Sequence, residues 1–201
     1  MRREFPSPRP ISNGMKNFFA SLFEIVEIAA VAIITVVIVR TFLLQPFLVN
    51  GASMEPNFES GDYLLVDELT YRLRAPERGE VIVFRYPGDE STFYIKRIIG
   101  LPGEKVFLQK DGITIFNAAY PDGLKLNEPY LSDDLSGYGE KEWPLTKSQY
   151  FVMGDNRVHS FDSRNWGPLD QKELIGLVRL RLWPVGKISI FQEPSLQLIN
   201  N

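Results

Sequence analysis

The sequence contains no cysteine and only one histidine, His159. A chain without cysteine forms no disulfide, offers no thiolate ligand for zinc and has no thiol nucleophile. One histidine among scattered carboxylates gives no ligand spacing for zinc either. The 22 basic and 25 acidic residues leave a formal net charge of −3, so the chain lacks the positive field that binds nucleic acid. A glycine-rich phosphate loop is also absent, and we expect neither a metal nor another cofactor.

The amino-terminal part of the chain is strongly apolar. Residues 18–44, FFASLFEIVEIAAVAIITVVIVRTFLL, form a long run whose only charges are Glu24, Glu27 and Arg40. About 20 apolar residues of a helix span the hydrocarbon layer, and these charges lie toward the ends of the run, where they reach the interface. The pattern predicts a membrane anchor. A cleavable signal peptide is the alternative interpretation, but the run is long for one and residues 50–52 match a cleavage site poorly.

Basic residues indicate the orientation of this anchor. Four of them precede the apolar run: Arg2, Arg3, Arg9 and Lys16. After Arg40 the next basic residue is Arg72. Because positive segments stay inside, the tail is expected in the cytoplasm and the rest of the chain outside the plasma membrane. The predicted organisation is a cytoplasmic tail at 1–17, an anchor at 18–44, an extracytoplasmic domain at 45–192 and a tail at 193–201.

The chain after the anchor has the short apolar runs of β-strands. These runs lie at 62–69, 79–87, 92–100, 104–116, 148–155 and 175–191. Several of them alternate with period two or are bounded by Gly and Pro, and helical periodicity is scarce. The sequence therefore predicts a mostly β, antiparallel domain behind one amino-terminal helix. Residues 117–147 are polar and turn-rich, and we expect a long loop there.

Ser53 lies in the turn FLVNGASMEPNF, shortly after the apolar run. It is either an ordinary turn residue or a nucleophile, and a nucleophile needs a base within hydrogen-bond reach and donors for the oxyanion. His159 lies in a loop, where a histidine is usually only solvated. Lys96 lies in the apolar strand 93–100, where burial would lower its pKa below ~10.4 and make it a base. A solvent-facing lysine that protects a strand edge is the alternative, and periodicity leaves both open.

The segment GDNRVHSFDSRNWG, residues 154–167, alternates in charge. Its charged residues are Asp155, Arg157, Asp162 and Arg164, with Ser160 and Ser163 among them. One interpretation is a charged surface loop held by salt bridges. The other is a loop that orients a catalytic lysine, with Ser160 hydrogen-bonded to Lys96 and Asp162 paired with Arg164.

Five segments resemble bacterial signal peptidase I, a membrane-bound endopeptidase with a Ser-Lys dyad, and they occur in that family's order. They are GASMEPNF from Gly51, GDYLLVDE from Gly61, RGEVIVFRYP from Arg78, YIKRIIGLPGE from Tyr94 and GDNRVHSFDSRNWG from Gly154. The resemblance covers most of the chain after residue 40. It implies the antiparallel β catalytic domain that the family shares with self-cleaving repressors. It also implies removal of signal peptides from exported preproteins at the outer surface of the membrane.

The resemblance assigns a role to each matching residue. Ser53 would be the nucleophile and Lys96 its neutral general base, a variant of the serine triad. The backbone N–H of Ser53 would be one oxyanion donor. Gly51 stands where some members have a serine as the second donor, so that the Gly51 backbone or a water molecule remains for this role. Ser160 would orient Lys96, and the supporting network would be Asp155, Arg157, Asp162 and Arg164.

The resemblance also implies a substrate with small residues at the first and third positions before the cut. The pocket for them would be lined by Phe47, Val49, Phe58 and Ile95, although all four are also suitable core residues. The strand at Phe47 could take up the substrate as a further strand. Asn57, where threonine is frequent, departs from the family pattern, and the insertion at 107–149 is reduced.

The expected partners are signal peptides, the lipid bilayer and the secretion machinery. Two other interpretations remain open at this point. One is a specialised peptidase of the same clan. The other is a catalytically silent, membrane-tethered β domain that binds exported chains.

Overall fold

The computed structural model describes residues 13–42, 44–131, 139–191 and 198–199. After Phe42 the chain divides into two compact units, an amino-terminal helix and a β domain. The helix, α1, covers Asn13–Phe42. The predicted anchor ended at Leu44, but Leu44 already belongs to a strand. Pro46 has no backbone N–H and disfavours helical backbone before it, which accounts for a helix end in this part of the chain.

The segment Asn17–Val37 of α1 is, in the described part of the chain, the one stretch of helix long and apolar enough to cross a membrane. All of its side chains are exposed, including large ones such as Phe23 and Ile28. A helix that is apolar all round needs an apolar surrounding. The helix is therefore consistent with a membrane anchor.

Two antiparallel sheets make up the β domain, which confirms the predicted mostly β, antiparallel fold. The larger sheet contains β1 (Leu44–Leu48), β2 (Tyr63–Asp67), β3 (Val81–Tyr86), β4 (Asp89–Gly100), β9 (Gln149–Met153), β10 (Leu169–Asp170), β11 (Leu174–Trp183) and β12 (Ser189–Ile190). The smaller sheet contains β5 (Lys105–Gln109), β6 (Gly112–Phe116), β7 (Leu124–Leu126), β8 (Lys141–Pro144) and β13 (Leu198–Ile199). Two short helices, α2 (Thr70–Leu73) and α3 (Ser163–Trp166), complete the domain.

The prediction of a long loop at 117–147 is wrong in part, because β7 and β8 lie within it. Both strands add to the hairpin of β5 and β6. Each is only three or four residues long, which is too short for a clear alternation to show in the sequence. Buried Leu126 and Trp143 attach them to the core of the smaller sheet, and such contacts are visible only in three dimensions.

The larger sheet curls until its first strand approaches its fifth. The strand order is β1-β2-β11-β3-β4-β9-β10, so β1 and β4 are four strand spacings apart, or about 19 Å in a flat sheet. Nevertheless the rings of Phe47 in β1 and Phe93 in β4 are 5.5 Å apart. Register shifts in β11 and at the end of β3 supply the bends that such curling requires.

Strand β4 separates two apolar clusters. Ile95 pairs with Val83 of β3, and both pack with the cluster that includes Val49 and Leu64. The neighbouring pair of Tyr94 and Phe84 belongs to the cluster on the other face. Because side chains alternate along a strand, Lys96 points to the same face as Tyr94.

Candidate active site

The structure brings Ser53 and Lys96 into hydrogen-bond contact. Ser53 lies in the turn after β1, where the next residue, Met54, is buried and anchors the turn. Lys96 lies in β4, and its Nζ donates to Ser53 Oγ at 2.7 Å and to the backbone oxygen of Ile95 at 2.9 Å. The same 2.7 Å separation lets a neutral amine accept the hydroxyl proton of Ser53. Within the described residues, Ser53 Oγ has no other hydrogen-bond partner.

Lys96 is buried, with 3 % of its surface exposed, so the interpretation as a solvent-facing edge lysine is wrong. Burial lowers the pKa of Lys96 from 10.5 to about 8. The negative charges of Asp162 and Asp155 oppose this decrease, and the positive charge of Arg164 adds to it. A lysine with this pKa is neutral in about one tenth of the molecules at pH 7, far more than an exposed lysine, and a general base must be neutral.

The loop that begins at Gly154 holds the turn of Ser53. The backbone N–H of Asn156 donates to the carbonyl oxygen of Ser53 at 3.0 Å. A Cβ atom at position 154 would collide with that same carbonyl oxygen and with Ser160 Oγ. Glycine at 154 therefore permits the close approach of the loop to Ser53.

Asp162 is the centre of the hydrogen bonds within this loop. It caps α3 and accepts from the backbone N–H of Gly154 at 3.0 Å, from Arg164 Nε at 2.8 Å and from Ser160 Oγ at 2.7 Å. Burial acts to raise the pKa of Asp162, but the hydrogen bonds and the charge of Arg164 outweigh it and hold the pKa below its ordinary value. Asp162 is therefore a stable negative charge beside Lys96.

The expected ion pair between Asp162 and Arg164 forms, but Ser160 differs from the prediction. Among the described residues Ser160 makes no hydrogen bond with Lys96, and its hydroxyl donates to Asp162 instead. Ser160 thus binds the carboxylate whose negative charge raises the pKa of Lys96. Sequence reasoning missed this because a serine in a tight loop reaches either partner by a change of rotamer.

Asp155 connects the loop to β4 and to the segment after Ser53. Arg97, next to Lys96 in the chain, donates to both carboxylate oxygens of Asp155, at 2.8 and 2.6 Å. Asn57 Nδ2 donates to Asp155 at 2.9 Å. Arg97 and Asp155 are both buried, and buried charges of this kind are found paired. An arginine in an otherwise apolar strand was the signal in the sequence that could have revealed this pair.

Arg157 fastens the loop to the segment before β8. Its Nη1 donates to Glu128 at 3.0 Å, and its Nε donates to the carbonyl oxygen of Gly154 at 3.0 Å. Tyr130 contacts both arginines: its hydroxyl accepts from Arg157 Nη2 at 3.0 Å, and its ring is 4.0 Å from the guanidinium of Arg97. Burial raises the pKa of Tyr130 well above its ordinary value. Neither Glu128 nor Tyr130 was predicted, since they come from a polar stretch without periodicity.

The backbone around Gly51 defines the donors available for an oxyanion. Within the described part of the chain, the N–H of Ser53 donates to no group and is free to bind substrate. The N–H of Gly51 donates to Ser60 Oγ at 3.4 Å, so this donor is already occupied. Gly51 has a φ of +107°, and no atom lies within 4 Å of the place where a Cβ would be.

A cavity of about 320 Å³ opens beside the dyad. Of the four predicted pocket residues, Phe47, Val49 and Ile95 line it. Phe58 does not, because it is fully buried and packs its ring 4.5 Å from that of Phe191. Two residues that were not predicted as pocket residues, His159 and Phe161, also line the cavity.

Comparison with known proteins places the chain in a family. The family model described as signal peptidase, peptidase S26, matches residues 22–183. Signal peptidase I of Bacillus licheniformis is 36% identical over 190 residues, which cover 88% of this chain and 95% of the relative. A probable signal peptidase I-2 of Synechocystis is 34% identical over 179 residues, covering 86% and 78%. Signal peptidase IB of Staphylococcus aureus is 33% identical over 191 residues, covering 87% and 96%. The chain therefore belongs to the signal peptidase family, peptidase S26.

Proposed function

We propose that Ser53 is the nucleophile and Lys96 the general base with which this serine endopeptidase removes signal peptides from exported preproteins. Membership of the signal peptidase family gives the activity. The roles of the two residues rest on one observation, the 2.7 Å contact between Ser53 Oγ and an amine that burial brings to a pKa of about 8. Two alternatives, a silent binding domain and a peptidase with a histidine base, have no comparable contact in their favour among the described residues.

In the proposed reaction neutral Lys96 takes the hydroxyl proton of Ser53 as Oγ attacks the scissile carbonyl carbon. The free N–H of Ser53 donates to the oxyanion that develops. The ammonium of Lys96 then gives its proton to the leaving amine, and the acyl-enzyme is hydrolysed by water with Lys96 again as base. Asp162 and Asp155 favour the charged lysine in each cycle. Arg97 holds Asp155, and Ser160 and Arg164 hold Asp162. Arg157 fastens the loop that carries both carboxylates.

The gap between β1 and β4 is the proposed site of the substrate. Residues 93–96 of β4 pair with β3 on one side, and no described strand pairs with their other side. β1 pairs with β2 alone among the described strands. An extended peptide can add to such free edges, with alternate side chains in a pocket. The first and third residues before the cut would face Ile95 and Phe47, which line the cavity.

The size of the third residue tests this placement. In a preprotein with alanine at the first and third positions before the cut, tryptophan at the third position should lower the cleavage rate by about 10²-fold, because a close-packed pocket cannot accept it. Tryptophan at the sixth position, beyond the cavity, is the control and should have little effect. Rates are measured with purified full-length chain in micelles, and mass spectrometry locates the cut. Equal rates for both tryptophan variants would contradict the placement.

We further propose that α1 anchors the protein with its amino terminus in the cytoplasm and the β domain outside the cell. The absence of cysteine makes this testable with single-cysteine variants. In spheroplasts, Lys147→Cys in the β domain should react with a membrane-impermeant maleimide, because position 147 is exposed. Ser7→Cys should react only after permeabilisation. The reverse labelling pattern would exclude the proposed orientation.

A further inference from the structure

An aromatic group adjoins the dyad on the face of β4 opposite the predicted pocket. It consists of Tyr86, Tyr94 and Phe161. The rings of Tyr86 and Tyr94 are stacked at 4.8 Å, and Phe161 contacts Tyr86 edge-on at 6.0 Å. Tyr94 and Phe161 line the cavity, and half of the Phe161 side chain is exposed. Half-exposed aromatic surface beside a catalytic group is suited to contact a ligand.

The two faces of β4 meet the cavity at the free edge of the strand. Phe93 and Ile95 belong to the face of Phe47 and Val83, and Tyr94 belongs to the face of Phe84. Residues from both faces line the cavity. A peptide laid along this edge therefore meets a different wall with each successive side chain.

The proposed placement also gives the direction of the peptide. It extends from Ser53 and Lys96 to Phe47 and Phe93, and Phe93 is three residues, or about 10 Å, along β4 from Lys96. The residues before the cut run in this direction, because the third of them is placed at Phe47. With the first residue at Ile95 and the third at Phe47, the second points to the opposite wall, formed by Tyr94 and Phe161.

We infer that Tyr94 and Phe161 form a subsite that takes a bulky apolar or aromatic side chain at the second position before the cut. The inference rests on the proposed function of the dyad and the gap. His159, which also lines the cavity, borders the subsite from the same loop as Phe161. An aromatic side chain in this subsite gains apolar contact and edge or face packing that glycine lacks.

Cleavage of two synthetic peptides by the full chain in micelles tests the subsite. Both carry alanine at the first and third positions before the cut, and the second position is phenylalanine in one and glycine in the other. The ratio of kcat/KM, phenylalanine over glycine, should be about threefold to tenfold for the parent protein. In Phe161→Ala the ratio should fall toward one. Val158→Ala, in the same loop but outside the lining of the cavity, should keep the parent ratio.

A parent ratio of one or less overturns the inference without any variant. An equal loss for both peptides in Phe161→Ala also overturns it, because that result describes a purely structural role. The inference is also overturned if the enzyme prefers phenylalanine at the first position after the cut and shows no preference at the second position before the cut. Failure of the proposed dyad would look different: neither peptide would be cut by the parent, or Ser53→Ala would still cut both.

Discussion

Replacing Lys96 by methionine is expected to lower the cleavage of a preprotein by at least about 10⁴-fold, because Ser53 then has no base. Methionine has nearly the length of lysine and fills the same space without an amine. Ser53→Ala should lose a similar factor, and the double variant should lose little more, since the two residues act on one step. Single-turnover cleavage of a radiolabelled preprotein in micelles provides the required range.

Two controls make the result specific for the dyad. Lys105→Met replaces a partly exposed lysine that pairs with Glu142 in the smaller sheet, and it should keep the parent activity. His159→Asn tests the other candidate base. A loss in His159→Asn as large as in Lys96→Met would make the histidine a second candidate for the base, and substantial activity in Lys96→Met would exclude the dyad.

The same Lys96→Met substitution should stabilise the domain at pH 7. An unfolded lysine binds its proton with a pKa near 10.5, and the folded one with a pKa of about 8. Below pH 8 the burial of Lys96 therefore destabilises the folded state by about 3 kcal/mol. The variant avoids this cost but loses the two hydrogen bonds of Lys96, which offsets part of the gain. We expect a gain of about 1–3 kcal/mol in the free energy of unfolding. Denaturation can be followed by tryptophan fluorescence, since all three tryptophans lie in the β domain.

A gain in stability together with a loss of activity distinguishes a catalytic group from a structural one. If Lys96 served the fold, its replacement would lower both quantities. Active sites commonly show this trade-off between activity and stability, because burying the group that performs the chemistry destabilises the folded state. A clear decrease of the free energy of unfolding in Lys96→Met would contradict the pKa derived from burial.

The β architecture was predictable because period-two alternation is a property of single strands. The sequence could not supply the strand order, which brings β4 across three intervening strands to β1. That approach depends on irregularities in β11, a strand whose alternation looks regular in the sequence. The gap between β1 and β4, and with it the cavity, is thus a consequence of tertiary structure.

The candidate dyad was recognisable from its motifs, whereas periodicity alone left Lys96 undecided between burial and exposure. The contacts that support it were less accessible. Glu128 and Tyr130 come from a segment without a pattern, and they reach the site through Arg157 and Arg97. Such contacts join residues far apart in sequence, and only the folded chain determines which charges meet. Phe58 was predicted as a pocket residue but lies in the core. An apolar residue close to Ser53 in sequence is suited to either place, so the sequence could not distinguish them.

The rate of cleavage should rise with pH up to about 8 and then level off. Lys96 acts as a base only when it is neutral, and its pKa in the free enzyme is about 8. Below that pH each unit decreases the neutral fraction about tenfold, so kcat/KM at pH 6 should be about one hundredth of its plateau. The sign follows from burial, which removes the proton from the folded lysine at a pH where an exposed lysine would keep it.

The measurement is a profile of kcat/KM from pH 5.5 to 10 with the glycine-containing peptide, accompanied by tryptophan fluorescence to verify that the domain stays folded. Asp162 and Asp155 raise the pKa of Lys96 by their charge, so they keep the midpoint higher than burial alone would place it. A midpoint near 6.5, the ordinary value of histidine, would assign the base to His159. A midpoint above 10 would mean that Lys96 is solvated in the working enzyme, and a flat profile would exclude any titrating base in this range.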